Sequence, residues 1–267
     1  MNIEFLTHST VKLAQQAGAK ILEFYAHDST SHKKSDASPV TAADLAAHQL
    51  ISQGLKQLTP DLPVLSEEGA TIPFAERSQW QRYWLVDPLD GTRDFLEKNG
   101  EFTVNIALID KHQAILGVIY APALATCYFA SQGHGAFKQI EGQPSQKITT
   151  RAWHGDKARV VASRHHGSAE LAKFLETLKD YTVVQQGSAL KFCIVAEGLA
   201  DVYPRLSPTC EWDSAAGQCI VEQAGGAVVD LQGRPLEYNS KESLQNPSFL
   251  VMGDRSGDWL KFIKLGN

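Results

Sequence analysis

The chain has 267 residues, of which 43% are hydrophobic and 21% charged, with a formal net charge of −5. That length and apolar content allow one large domain or two intimate halves and exclude a disordered chain. The acidic balance excludes bulk electrostatic capture of nucleic acid, so a polyanionic ligand would need bound metal or a few placed Lys and Arg side chains.

In chain order, residues 4–26 read as a helix, with Leu6, Leu13, Ala17 and Ile21 on one stripe. A polar loop spans 27–39. A second helix begins near Thr41, where Thr41 and Asp44 have capping-box spacing and Ala47, Leu50, Ile51, Leu55 and Leu58 supply the apolar face. Short strands are expected at 62–65 and 83–86, stopping at Glu67 and Asp87. Runs at 102–109, 115–120 and 126–130 read as strands, and their short polar gaps suit antiparallel pairing.

Beyond about residue 150, strands at 160–162, 181–184, 202–203, 226–230 and 249–252 alternate with helices at 169–178, 190–197 and 213–224. That alternation predicts a second layered α/β half. The polar stretch 139–147 marks the boundary, giving halves 1–147 and 148–267 of one compact unit with the site in the seam. Cys127, Cys193, Cys210 and Cys219 form no CxxC pair and no zinc spacing, and are expected as free thiols in a reducing cytosol. The N-terminus lacks the basic start and apolar run of a signal peptide, and no apolar stretch approaches the roughly 18 residues of a membrane span.

Carboxylates gather where apolar strands end. Glu67 and Glu68 follow Val64-Leu65-Ser66, Asp87 follows Trp84-Leu85-Val86 with Asp90 three residues on, and Asp213 opens a helix. An oxygen-only cluster suits a hard cation such as Mg²⁺ rather than zinc. A single Asp after a strand is more often a turn residue or a cap, and Asp87-Pro88 and Asp90-Gly91 are ordinary turn dipeptides. The spacing argues for more. One short segment can offer two carboxylates, the Leu89 carbonyl, the amides of a helix start at Gly91 and Thr92, and the Thr92 hydroxyl.

Asp87-Pro88-Leu89-Asp90-Gly91-Thr92 resembles the DP(I/L)DGT signature of the inositol monophosphatase superfamily. Trp212-Asp213-Ser214-Ala215-Ala216-Gly217, Leu65-Ser66-Glu67-Glu68 and Val40-Thr41-Ala42-Ala43-Asp44 resemble its other motifs, in family order. Within the superfamily the chain is similar to the CysQ-type 3′(2′),5′-bisphosphate nucleotidases, through Ser38-Pro39-Val40-Thr41, the run 84–90, the run 99–105 and Lys191-Phe192-Cys193. The resemblance implies alternating α-β-α-β-α layers and a Mg²⁺-dependent phosphatase with two or three ions. It implies metal ligation by Glu67, Asp87, Leu89, Asp90 and Asp213. Asp44 and Thr92 would orient and deprotonate the attacking water, and the Gly91 and Thr92 amides would hold the scissile phosphate.

The resemblance also assigns substrate binding to His166, Ser188, Lys191 and Arg205, with Asp213 beside them. Ser188 and Lys191 are three apart near a helix start and can share a face. Arg205 follows a strand, where its fork can grip a phosphate bidentately. Alone, Lys191 would read as a solvated helix lysine and Arg205 as a surface arginine. His165-His166 is a doublet where the family has one His, so either ring can be the one in the site.

The expected reaction is in-line attack of metal-activated water on 3′-phosphoadenosine 5′-phosphate, giving AMP and phosphate, with lithium sensitivity implied by the resemblance. An inositol or sugar monophosphatase of the same superfamily is the near alternative, and a non-catalytic phosphonucleotide sensor the distant one. The expected partners are a small phosphonucleotide and no nucleic acid, in a cytoplasmic monomer or homodimer with peripheral contact to the inner membrane face left open.

Overall fold

The computed structural model describes residues 2–26, 31–33, 39–69, 72–164 and 168–263. The first half runs through α1 (Ile3–Ala26), a ribbon of β1 (Ser31–Lys33) and β2 (Pro39–Thr41), α2 (Ala42–Leu58), β3 (Val64–Ser66) and α3 (Phe74–Arg77). It continues through β4 (Arg82–Asp90), α4 (Thr92–Leu96), β5 (Thr103–Asp110), β6 (Gln113–Ala121), β7 (Thr126–Ser131), β8 (Gly135–Ile140) and β9 (Gln146–Ile148). The second half holds β10 (Ala158–Ala162), α5 (Ala169–Leu178), β11 (Tyr181–Gln185), α6 (Leu190–Ala196), β12 (Val202–Arg205), α7 (Glu211–Gln223), β13 (Ala227–Asp230) and β14 (Phe249–Met252).

β3 to β9 form a seven-stranded sheet in sequence order. The β3–β4 pair is parallel and every other pair antiparallel. The strands alternate their large side chains between two cores, as a period of two requires. Trp84, Val86, Val104, Ile106, Leu116 and Val118 face α1 and α2, which bury Leu6, Leu13, Ala17, Ile21, Ala47, Ile51 and Leu55 against them. Tyr83, Leu85, Ala107, Ile109, Ile119 and Tyr128 face α6 and α7. Each fully buried Leu, Ile or Phe in these layers contributes about 1.5–3 kcal/mol.

The second sheet has the order β11-β10-β12-β14-β13. Its Val161, Tyr203, Val228 and Val251 pack on α6 and α7, while Val160, Val202 and Leu250 meet Phe174, Leu178 and Trp259 on its outer side. The expected α-β-α-β-α layering is therefore the architecture. α7 seats closely on the first sheet because Gly117 has no side chain: a Cβ there would lie 2.4 Å from the Ala216 carbonyl oxygen.

β4 does not end at Val86 as the pattern suggested. It runs to Asp90, with a register shift between Asp87 and Asp90 that leaves Pro88 out of the ladder, so the missing proline N–H interrupts no bond. The stretch 139–147, read as a boundary, carries the end of β8 and the start of β9. The first sheet thus pairs through Ile148 and the second begins at Ala158. The Thr41 side chain, needed for the predicted capping box, lies outside the described residues, as do His165 and His166.

Candidate active site

Three strand ends meet at one edge of the first sheet. Ser66 pairs with Val86 in parallel register, so Glu67 and Asp87 leave neighbouring strands side by side. β5 arrives antiparallel, placing Asn105 opposite Asp87 and Thr103 opposite Asp90. α7 presents Asp213 from its first turn, where the helix amides favour a negative charge. Oxygens of Asp87, Asp90 and Asp213 lie within 4.8 Å of one another.

Each carboxylate is held. Asp87 Oδ1 accepts from the Leu89 amide at 3.1 Å. Asp213 Oδ2 accepts from the Cys210 amide at 2.8 Å, capping its own helix. Asp90 Oδ2 accepts from Ser188 Oγ at 2.6 Å. Ser188 also meets Thr103 Oγ1 at 2.6 Å, and Thr103 donates to Asn105 Oδ1 at 2.9 Å. Gly91, at φ 85°, opens α4. The Thr92 hydroxyl donates to the Leu89 carbonyl at 3.4 Å.

The cluster is electrostatically frustrated. Burial raises the Asp87 pKa well above the carboxylate range, and the charges of Glu67, Asp90, Asp213 and Asp44 add to it. Asp213 is pushed up to about 7 by burial and by Asp90, with Glu67 adding, against the opposing pull of the Cys210 amide and Arg205. At 4.8 Å, each pair of like charges repels by about 3–4 kcal/mol at an effective dielectric near 20. A divalent cation among oxygen donors would relieve this, and the donor set fits magnesium or another hard cation. Asp44 is buried in the first turn of α2.

Ser188, Lys191, Arg205, Asp90 and Asp213 line one small cavity of about 50 Å³. Lys191 is buried, and its Nζ donates to the Ser188 carbonyl at 2.5 Å and stands 5.6 Å from the Tyr203 ring centre. Burial pushes its pKa down to about 8, with Asp90 pulling it up and Arg205 down. Arg205 Nε and Nη2 donate to the carbonyls of Ser207 and Pro208 at 3.2 and 2.9 Å, which aims the fork. A larger recess of about 730 Å³ lies beside α7 and β13 and includes none of the acidic cluster. Its buried Gln218 and Asp230 are bonded to Tyr238, Glu222 and Arg234, so volume alone does not mark the site.

His48, on α2, is bonded through Nδ1 to Ser66 Oγ at 2.8 Å. Its pKa is lowered by burial, with Glu68 acting against the shift. Neither Thr103 nor Tyr203 is among the residues the motifs assign to the site. Thr103 and Asn105 carried a signal: two buried polar side chains, two apart on an otherwise apolar strand, share one face.

A layered α-β-α-β-α fold with this acidic edge defines a phosphatase class. The inositol monophosphatase family model matches residues 2–253, and the chain belongs to that family. It is 48% identical over 250 residues to the 3′(2′),5′-bisphosphate nucleotidase CysQ of Escherichia coli strain K12, covering 90% of this chain and 96% of that protein. It is 39% identical over 259 residues to the CysQ of Haemophilus influenzae, covering 96% of both. Among solved structures, CysQ from Bacteroides thetaiotaomicron superimposes with a TM-score of 0.85 at 39% identity, covering 96% of this chain and 99% of that one. Among the described residues, no helix is long and apolar enough to cross a membrane.

Proposed function

We propose that this chain is a magnesium-dependent 3′(2′),5′-bisphosphate nucleotidase that converts 3′-phosphoadenosine 5′-phosphate to AMP and phosphate. The observation that carries the reading is the shared cavity, in which Asp90 and Asp213 stand beside Lys191 and Arg205. A cation-binding carboxylate edge and two fixed basic groups so close together suit a substrate with two phosphates. The CysQ relatives carry the name 3′(2′),5′-bisphosphate nucleotidase.

In this reading Glu67, Asp87, the Leu89 carbonyl, Asp90 and Asp213 hold two or three magnesium ions, which when bound lower the pKa of the attacking water and neutralise the phosphoryl oxygens. Asp44 and Thr92 orient the water, and the Asp44 carboxylate takes its proton. The Gly91 and Thr92 amides hold the scissile phosphate at the start of α4. Lys191 and Arg205 hold the 5′-phosphate, and one ring of the His165-His166 pair contacts that phosphate or the nucleoside. Direct attack by water is favoured because Asp90, the carboxylate bonded to the Ser188 hydroxyl at 2.6 Å, is a metal ligand in this reading and does not serve that hydroxyl as a base. The four cysteines are free thiols, which fits a reducing compartment.

The test is phosphate release from adenosine 3′,5′-bisphosphate beside inositol monophosphate, with magnesium and with chelator. Preference for the nucleotide, dependent on magnesium, supports the proposal. Preference for inositol monophosphate moves the chain to the sugar-phosphatase side of the family, and no release from either substrate favours a sensor.

A further inference from the structure

Three polar contacts outside the acidic cluster converge on one carboxylate. Glu101 stands just before β5, with its side chain only 12% exposed. Its Oε2 accepts from Arg164 Nε at 2.9 Å and its Oε1 from Arg164 Nη2 at 2.5 Å, a bidentate fork. The same Oε2 accepts from the Gly187 amide at 2.7 Å. Arg164 follows the end of β10, and Gly187 precedes Ser188 in the turn into α6. One side chain from the first half therefore fastens two separate segments of the second.

The turn is packed tightly against this carboxylate. A Cβ at Gly187 would lie 2.9 Å from both Glu101 Cβ and Asp94 Oδ2, so only glycine permits the approach. Asn99 braces the same corner: its Oδ1 accepts from the Glu101 amide at 2.9 Å and its Nδ2 donates to Asp94 Oδ1 at 2.6 Å. Burial would raise the Glu101 pKa, yet Arg164 and the Gly187 amide hold it below its ordinary value. From Gly187 the chain passes directly to Ser188, whose carbonyl receives the Lys191 ammonium at 2.5 Å. The place of that ammonium is thus set by the turn, and the turn is held by Glu101.

We infer that Glu101 is a positioning residue for substrate, acting through Gly187 and Ser188 to fix Lys191 at the second-phosphate subsite, with Arg164 as its brace. The inference rests on the nucleotidase reading above. It assigns to the 99–101 corner a share in substrate selection that its distance in sequence from Lys191 hides.

The experiment measures steady-state kinetics of Glu101→Ala, Glu101→Gln and Arg164→Ala on adenosine 3′,5′-bisphosphate and on adenosine 3′-monophosphate, which lacks the second phosphate. Glu101→Ala should raise KM for the bisphosphate about five- to tenfold with kcat within about twofold, and leave KM for the monophosphate in place. Glu101→Gln keeps an acceptor for the Gly187 amide and should lose less. Arg164→Ala added to Glu101→Ala should cost nothing further, because the arginine acts through the carboxylate. Equal changes on both substrates, a fall in kcat alone, or unchanged KM with a lowered melting temperature would each overturn the inference. If the wild-type protein releases no phosphate from the bisphosphate, the nucleotidase reading fails and takes this inference with it. If the wild type is active and Glu101→Ala behaves like it, this inference alone fails.

Discussion

The charge of Asp213 should weigh against the metal-free fold, and its removal should show this. The Asp213 carboxyl is raised from its ordinary 3.8 to about 7, first by burial and then by Asp90. Because the folded pKa is the higher one, the folded state holds the proton more tightly than the unfolded chain does. The penalty for ionising Asp213 therefore begins near pH 3.8, grows as pH rises, and is complete above about 7, where it reaches roughly 4 kcal/mol. Asp213→Asn removes the charge and keeps an oxygen that can accept from the Cys210 amide. In chelator, the variant should melt about 8 °C above wild type at pH 8, and the gap should shrink to nearly nothing at pH 4. Magnesium at pH 8 should reverse the order, raising the wild type and leaving the variant in place. Calorimetric scans from pH 4 to 8, with chelator and with magnesium, measure both effects. A variant that melts at or below wild type at pH 8 in chelator would refute the reasoning, and so would a gap that does not vary with pH.

Three further outcomes are expected. Asp87→Asn should lower magnesium-dependent phosphate release by about a thousandfold or more, with the near-ultraviolet circular dichroism of wild type, since it removes the most deeply placed carboxylate of the cluster. Lys191→Ala should raise KM for adenosine 3′,5′-bisphosphate about tenfold to a hundredfold and barely change that for adenosine 3′-monophosphate. Gly117→Ala should cost about 1–3 kcal/mol in urea unfolding, because its methyl would press on the Ala216 backbone.

Much of this was legible in the chain because the relevant signals are local. The Leu6-Leu13-Ala17-Ile21 stripe needs only helical periodicity, and the carboxylates after Leu65 and Val86 need only the end of an apolar run. What escaped reading depends on partners far along the chain. β9 is polar and exposed at a sheet edge, so no hydrophobic pattern announces it. β4 continues through Pro88 only because a bulge excuses that residue from pairing. Glu101 and Arg164 are 63 residues apart, and no spacing rule links them. The spacing of Ser188 and Lys191 points to a shared substrate face, while the Ser188 hydroxyl is engaged with Asp90 and Thr103, a junction that exists only once β4, β5 and α6 have met.

That junction carries its own cost, and two substitutions separate its parts. Ser188 has φ 52°, a left-handed conformation that costs a non-glycine residue about 1 kcal/mol or more. Ser188→Ala keeps the strain and loses the hydroxyl, while Ser188→Gly loses both. If the strained turn is held for the sake of the hydroxyl, the glycine variant should be more stable than the alanine variant by about 1 kcal/mol. Both variants should lose phosphate release to a similar degree, because Asp90 in each lacks the 2.6 Å bond that orients it. Urea unfolding and initial rates at saturating magnesium test the two halves independently. A glycine variant that regains activity would show that Asp90 does not depend on the hydroxyl. An alanine variant as stable as the glycine one would show that the turn is not strained at this position.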